Sequence, residues 1–364
     1  MIRIFMIGYS SNKGGVEKYI ENLCGHLDKT KFEIIYKSDQ MVLNGITWKC
    51  PKNRHNYLKY RIFWHKFYKA NKFDVVYYNT CDVVSIDQLK FAFYADVPVR
   101  IIHAHSTGNQ QNLQRKMSLF HRISECWSRK SLKKFATHFF ACSETAGNWM
   151  FGGIKYRIIT NGIDLCKYKF NEANRIKCRR LYQIKSEILI GCVGRLSPTK
   201  NPLFSIKIMS SFLKMKPNAI LVMIGEGELH EDIVNEIEHR NMQNSVILTG
   251  AIENVNEWMS AIDCILMPSL FEGLPFVLVE AQAAGLPCVV SSTVSKEANL
   301  TGSVEYLDLA EEPDVWANKI LEVCQNERND KTQQLINAGY FITDTAKTVS
   351  VIIENALGRE ILDG

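Results

Sequence analysis

Much that would assign this 364-residue chain quickly is missing from it, and each absence excludes something. No run of about 18 uncharged apolar residues occurs, so no segment reads as a membrane-spanning helix. The opening IRIFMIG passes straight into YSSNKGG, without a signal-peptide core or cleavage site, and the chain is expected to be cytosolic. Its eleven cysteines include no CxxC pair and no Cys/His cluster at zinc spacing, which is the usage of a reducing compartment. Neither GxGxxG nor GxxxxGK[ST] is present, so dehydrogenase and ATPase readings both lose ground. There is no internal repeat, no low-complexity segment and no RRM or KH signature.

Acidic residues are scarce in one half only. Residues 1–186 hold 32 Lys and Arg against 13 Asp and Glu, a net of +19, whereas residues 187–364 hold 12 against 25, a net of −13. A basic half suits nucleic acid, an anionic membrane or an acidic substrate; an acidic half beside it argues against a protein that coats nucleic acid.

What is present is an alternation of short apolar runs with amphipathic stretches, over a length that favours two domains. Residues 2–7, 32–36, 74–79, 99–104 and 138–142 read as buried strands in the first half, and 187–193, 219–225, 245–250, 264–268 and 287–292 in the second. Helical patterns such as 16–27, 231–242 and 256–262 lie between them. The expected fold class is α/β, with two doubly wound parallel sheets in series and ligands at the carboxyl ends of the strands. The charged segment 165–186 lacks strand character and reads as the linker.

The most informative stretch is FEGLPFVLVEAQAAG, 271–285. Proline suits the first helical position, so a helix is expected from Pro275 to Gly285, with Glu272 in the loop at its mouth and Glu280 about one and a half turns in. A helix N-terminus attracts anions, Gly273 lets an oxyanion approach the backbone, and a carboxylate answers sugar hydroxyls beside a phosphate. The alternative is a capping Glu272 and a solvated Glu280. In GCVGRLSPTKNP (191–202) a strand ends at Gly194, and Arg195 and Lys200 flank a turn that can aim both cations at a diphosphate. Two solvated surface cations are the plainer reading. MIGEGE places Gly225 and Glu226 after a strand, as a phosphate cradle or an ordinary βα turn. The amino-terminal loop brings Gly14 and Gly15 to the start of a helix whose first turn holds Glu17, another place for a pyrophosphate. In HAHST (103–107), His103 and His105 point the same way at a strand end, where a histidine donates to sugar hydroxyls or a leaving phosphate; the alternative is a structural pair. Two basic aromatic stretches, 55–72 and 113–135, fit either an anionic lipid surface or ordinary packing with solvated bases.

GGVEKY, HAHST, CSE (142–144), TNGID (160–164), GRLSPTKNP, IGEGE and Glu272-x7-Glu280, in this order over most of the chain, resemble the retaining, GT-B-type glycosyltransferases of family 4. The resemblance implies two Rossmann-like domains, 1–165 and 166–344, facing a central cleft, with the last segment, 345–364, returning to the first. It implies that Arg195 and Lys200 hold the donor diphosphate beside Gly194, that Glu280 takes the ribose hydroxyls, and that Glu272 with the backbone of Gly273, Leu274 and Pro275 faces sugar and phosphate. Gly14, Gly15, Gly225 and Glu226 would complete the donor site, His105 would contact the sugar near the reacting centre, and Asn161-Gly162 would mark the hinge. No cofactor and no metal are expected. Two departures stand out: Lys13 where a smaller residue is frequent, and Asn201 where glycine is common. The implied function is transfer of a hexose or N-acetylhexosamine, from a nucleotide sugar of the UDP type, to a lipid-linked glycan at the inner face of a bacterial membrane, in capsule, exopolysaccharide or O-antigen synthesis. A nucleotide-sugar epimerase and a non-catalytic partner subunit are the alternatives; nucleic acid is not an expected partner.

Overall fold

A strand covered on both faces needs apolar side chains on both, and the ten apolar runs read from the sequence all become parallel strands, the inner ones of that kind. The computed structural model describes residues 1–10, 14–43, 45–51, 56–106, 119–272 and 274–358, the side chains of 119–122 excepted. Lys13, His55, Thr107, residues 113–118, Gly273 and residues 359–364 lie outside them. The described residues form two compact units, Met1–Gly162 with Ile342–Gly364, and Ile163–Phe341.

The first unit runs β1 (Ile2–Ile7), α1 (Gly15–His26), β2 (Phe32–Tyr36), β3 (Gln40–Leu43), β4 (Ile46–Lys49), α2 (Tyr57–Asn71), β5 (Val75–Thr80), α3 (Asp87–Tyr94), β6 (Val99–Ala104), α4 (Leu119–Phe135), β7 (His138–Ala141), α5 (Glu144–Phe151) and β8 (Arg157–Ile158). The second runs α6 (Leu165–Tyr168), α7 (Glu172–Leu181), β9 (Leu189–Val193), α8 (Pro202–Met215), β10 (Ile220–Ile224), α9 (His230–His239), β11 (Val246–Gly250), α10 (Val255–Ala261), β12 (Cys264–Met267), α11 (Phe276–Ala283), β13 (Cys288–Ser291), β14 (Val304–Leu307), α12 (Pro313–Val323) and α13 (Thr332–Asn337). Helix α14 (Ile342–Ala356) packs on α1 within the first unit.

The sheets are ordered β2-β1-β5-β6-β7-β8 and β11-β10-β9-β12-β13-β14, every pair parallel, with β3 and β4 as a separate antiparallel hairpin. The chain steps outward in one direction and then in the other, so the order reverses between β1 and β5 and between β9 and β12. Crevices that receive ligands open at those reversals.

Aromatic packing fills the first core. Phe5 stacks on Phe73 at 4.9 Å and lies 5.2 Å from Phe67, with Trp64 and Tyr68 fully buried beside them. Trp64, Phe67 and Tyr68 of the 55–72 stretch thus pack inward, as its plainer reading holds for them, while Tyr57 and Leu58 stand exposed. Segment 165–186, expected as a linker, is instead the helical pair α6 and α7. Two of its charges turn inward: Arg175 and Arg179 pair with Asp263 at 2.8 and 3.3 Å, and that carboxylate also accepts the Leu189 N–H.

Candidate functional site

The second unit supplies most of the expected residues. Beyond β9 the backbone turns at Gly194, whose φ of +144° is one that L side chains rarely adopt. Gly225, at φ +143°, faces the Gly194 carbonyl so closely that a Cβ would collide with it, and a Cβ on Gly227 would collide with the Leu196 backbone. The Gly194 and Leu196 N–H groups donate to the Ile224 and Glu226 carbonyls, each at 2.9 Å. The glycines of GEG therefore serve the close approach of two strand-end loops. Glu226 is exposed, and its Oε1 accepts from the Ala251 N–H at 3.4 Å.

A single 3₁₀ turn, Pro198–Lys200, follows, and Asn201 takes the left-handed conformation at φ 52° before Pro202 opens α8. Asparagine tolerates that conformation better than other residues with a side chain, which explains how it stands where glycine is common. Lys200 Nζ lies 2.5 Å from Glu272 Oε1, and the Glu272 side chain is 9% exposed. Leu270 N–H donates to the Thr199 carbonyl at 2.7 Å, fastening the Glu272 loop to the Lys200 turn. The sequence places these two charges in one site by analogy alone; the structure brings them into contact. Arg195 is exposed at the same strand end.

Pro275 is the N-cap of α11 rather than its first residue, with Leu274 half-buried before it, and Gly285 at φ +68° ends the turn after Ala284. Glu280 is 1% exposed, which overturns the solvated alternative. Its neighbour is Tyr168 on α6, a residue that nothing in the sequence singles out. Burial first, and then the Glu280 carboxylate to which it hydrogen-bonds, raise the Tyr168 phenol well above its ordinary pKa. The phenol gives its one hydrogen to the carboxylate and holds it in place as an acceptor for a pair of vicinal hydroxyls.

In the first unit a cavity of about 530 Å³ opens at the reversal between β1 and β5, lined by Gly8, Ser10, Gly14, Gly15, Glu17, Lys37 and Asn79 among others. Gly8, at φ +108°, lies where a Cβ would strike Asn79. Gly14 caps α1, and its N–H donates to Glu17 Oε2 at 3.1 Å while the Ser10 hydroxyl donates to Glu17 Oε1 at 2.5 Å. The expected anion site at this helix start already holds a carboxylate of the chain's own.

The surroundings of His105, expected to contact the sugar near the reacting centre, bear on what it can donate. Asn79 Nδ2 donates to the Ile7 carbonyl at 3.0 Å, which turns Asn79 Oδ1 toward His105 Nε2 at 2.9 Å and puts the imidazole hydrogen on that nitrogen. Burial pushes the ring down to about 3 against a smaller upward pull from Asn161. At neutral pH it is uncharged, and its one N–H is committed to Asn79. The His103 and His105 rings lie 4.1 Å apart, tilted by 36°, Tyr19 packs on both, and a hydroxyl chain runs from Tyr19 to Tyr77 at 2.9 Å and on to His103 Nδ1 at 3.1 Å. Burial also holds His103 well below its usual value. Among the described residues no three His, Cys, Asp or Glu side chains gather as a metal site.

Known proteins place the chain in a family. The model of glycosyl transferases group 1 matches residues 176–340, and that of glycosyltransferase family 4 matches residues 13–167. The "Putative glycosyltransferase EpsF" of Bacillus subtilis is 30% identical over 337 residues, 87% of this chain and 86% of EpsF. The UDP-Gal:alpha-D-GlcNAc-diphosphoundecaprenol alpha-1,3-galactosyltransferase of Escherichia coli is 26% identical over 241 residues, 65% of this chain and 62% of that enzyme. The crystal structure of Anabaena HepE in complex with UDP-glucose matches with a TM-score of 0.72 at 16% identity, over 98% of this chain and 100% of HepE. This chain belongs to the glycosyltransferases of GT-B fold that join a family 4 domain to a group 1 domain.

Proposed function

We propose that this glycosyltransferase moves a hexose or N-acetylhexosamine from a UDP-sugar to a lipid-linked glycan in polysaccharide synthesis, with retention of configuration and without a metal. The observation that carries the reading is the Lys200–Glu272 pair, a fixed cation and a buried carboxylate 2.5 Å apart at the carboxyl ends of the second sheet. A donor would insert its diphosphate beside Lys200 and Arg195, leave Glu272 to the sugar hydroxyls, and set its ribose against Glu280 and Tyr168. The bond from the anomeric carbon to the phosphate oxygen breaks, Lys200 and Arg195 stabilise the leaving diphosphate, and the acceptor oxygen bonds to the same carbon from the same face while its proton passes to the departing phosphate. Glu272 is held by Lys200 rather than offered as a nucleophile, which favours this route over a covalent intermediate. The UDP donor is supported by HepE, solved with UDP-glucose, and by the Escherichia coli relative, whose name also gives a diphosphoundecaprenol acceptor.

Peripheral contact with an anionic membrane is supported by two helices of the first unit. On α4, Trp127 is 72% and Ile123 51% exposed, ahead of exposed Lys130, Lys133 and Lys134; on α2, Leu58 and Ile62 stand exposed among Lys59, Arg61, Lys66 and Lys69. Among the described residues no helix is long and apolar enough to cross a membrane.

The deciding experiment is nucleotide release from a panel of UDP-, GDP- and ADP-sugars, with and without a bacterial lipid extract and with EDTA. Release from a UDP-sugar that rises with lipid and survives EDTA is expected. Isomerised sugar without release, or binding without turnover, would replace the transferase reading by an epimerase or by a binding subunit.

A further inference from the structure

Glu272 sits in a segment, 268–272, that belongs to no helix and no sheet strand, yet its carboxylate is buried and paired. Besides the tie from Leu270 to Thr199, the segment is held from the side of β13. The Ser269 carbonyl accepts from Ser291 Oγ at 2.5 Å and from Thr293 Oγ1 at 2.7 Å, and those two hydroxyl oxygens are 2.7 Å apart. Ser295 N–H reaches the Glu272 carbonyl at 3.3 Å, and Glu272 bridges Val294. Ser291 is the last residue of β13 and Thr293 lies two residues beyond it. Three oxygens share two hydroxyl hydrogens, so either both hydroxyls donate to the carbonyl or one donates to it and the other to its neighbour. The carbonyl belongs to a fully buried residue and stays satisfied while one hydroxyl remains.

We propose that Ser291 and Thr293 are positioning residues for the donor site, a hydroxyl clamp that holds the Glu272 backbone where its carboxylate meets Lys200. The inference rests on the reading of Lys200 and Glu272 as donor ligands. Because the hydroxyls back each other up, their removal is expected to be strongly non-additive. Ser291→Ala and Thr293→Val should each stay within about threefold of wild-type kcat, while the double variant loses on the order of a hundredfold, the scale for a misplaced site group. Thr293→Ser should behave as wild type, alone and in the Ser291→Ala background.

The test measures amide hydrogen exchange in 268–272 on the ligand-free full chain, its melting temperature, and kcat and KM with the sugar donor that the release panel identifies. Faster exchange confined to 268–272 in the double variant, with a small change in melting temperature and a loss mainly in kcat, is the expected result. Unchanged exchange there, additive losses, or a failed rescue by serine would overturn the clamp. Lys200→Ala separates the two readings. If it turns over normally, the donor assignment fails while hydrogen exchange still reports on the clamp; if it is inactive and the double variant is normal, the clamp alone fails.

Discussion

Removing the Lys200 ammonium tests the site at two levels at once. Lys200→Ala leaves the Glu272 carboxylate, 9% exposed, without the cation 2.5 Å from it. A fully buried pair broken on one side costs about 3–5 kcal/mol, but the Lys200 side chain is 25% exposed and water enters the vacated space, so about 1–3 kcal/mol is expected. For a unit of this size, that lowers the melting temperature by roughly 2–4 °C per kcal/mol. The effect on transfer should be larger, because a preorganised charge acts on the diphosphate as it departs: about a hundred- to a thousandfold in kcat, the scale of one lost oxyanion donor. The double variant Lys200→Met, Glu272→Gln removes both charges. Calorimetric melting should show it more stable than Lys200→Ala, while donor turnover stays low. Turnover of Lys200→Ala within a few-fold of wild type would refute the phosphate assignment, and unchanged melting of the single variant would refute the stabilising role of the pair.

The remaining expectations concern backbone, pH and surface. Gly225→Ala should destabilise the second unit by about 1–3 kcal/mol in urea unfolding, because its φ of +143° and the adjacent Gly194 carbonyl leave no room for a Cβ. His105 has a folded pKa of about 3 against about 6.5 unfolded, so the unfolded chain binds the extra proton between those values. Its contribution to stability is complete above pH 6.5 and is lost as pH falls toward 3, amounting to about 2 kcal/mol by pH 5; urea unfolding of wild type and His105→Gln at pH 7 and 5 checks whether the variant lacks that share of the slope. Trp127→Ala should weaken flotation with phosphatidylglycerol vesicles several-fold and leave nucleotide release without lipid unchanged; equal binding to phosphatidylcholine vesicles would count against the basic face.

The ten strands were legible along the chain because a parallel strand buried on both faces is a run of apolar residues, a signal carried by composition over five or six positions. β8, β14 and the β3–β4 hairpin were not: the two residues of β8 are both exposed, and β14 and the hairpin alternate too briefly. In the same way the charged segment 165–186 looked like a linker because a pattern of charges does not say which carboxylate will meet them, here Asp263 some eighty residues away. Residue types and their local spacing marked Lys200, Glu272 and Glu280 as candidates, since E-x7-E straddling a helix start is itself local. Their pairing is not local. That Lys200 rests on Glu272, that Glu280 is buried against Tyr168, and that Asn79 sets the tautomer of His105 all depend on contacts between elements distant along the chain, which exist only once the strands have stacked in their order and register. Burial then fixes what each group can do: the same imidazole that would donate a proton in water is neutral here, because a buried cation has no solvent to stabilise it.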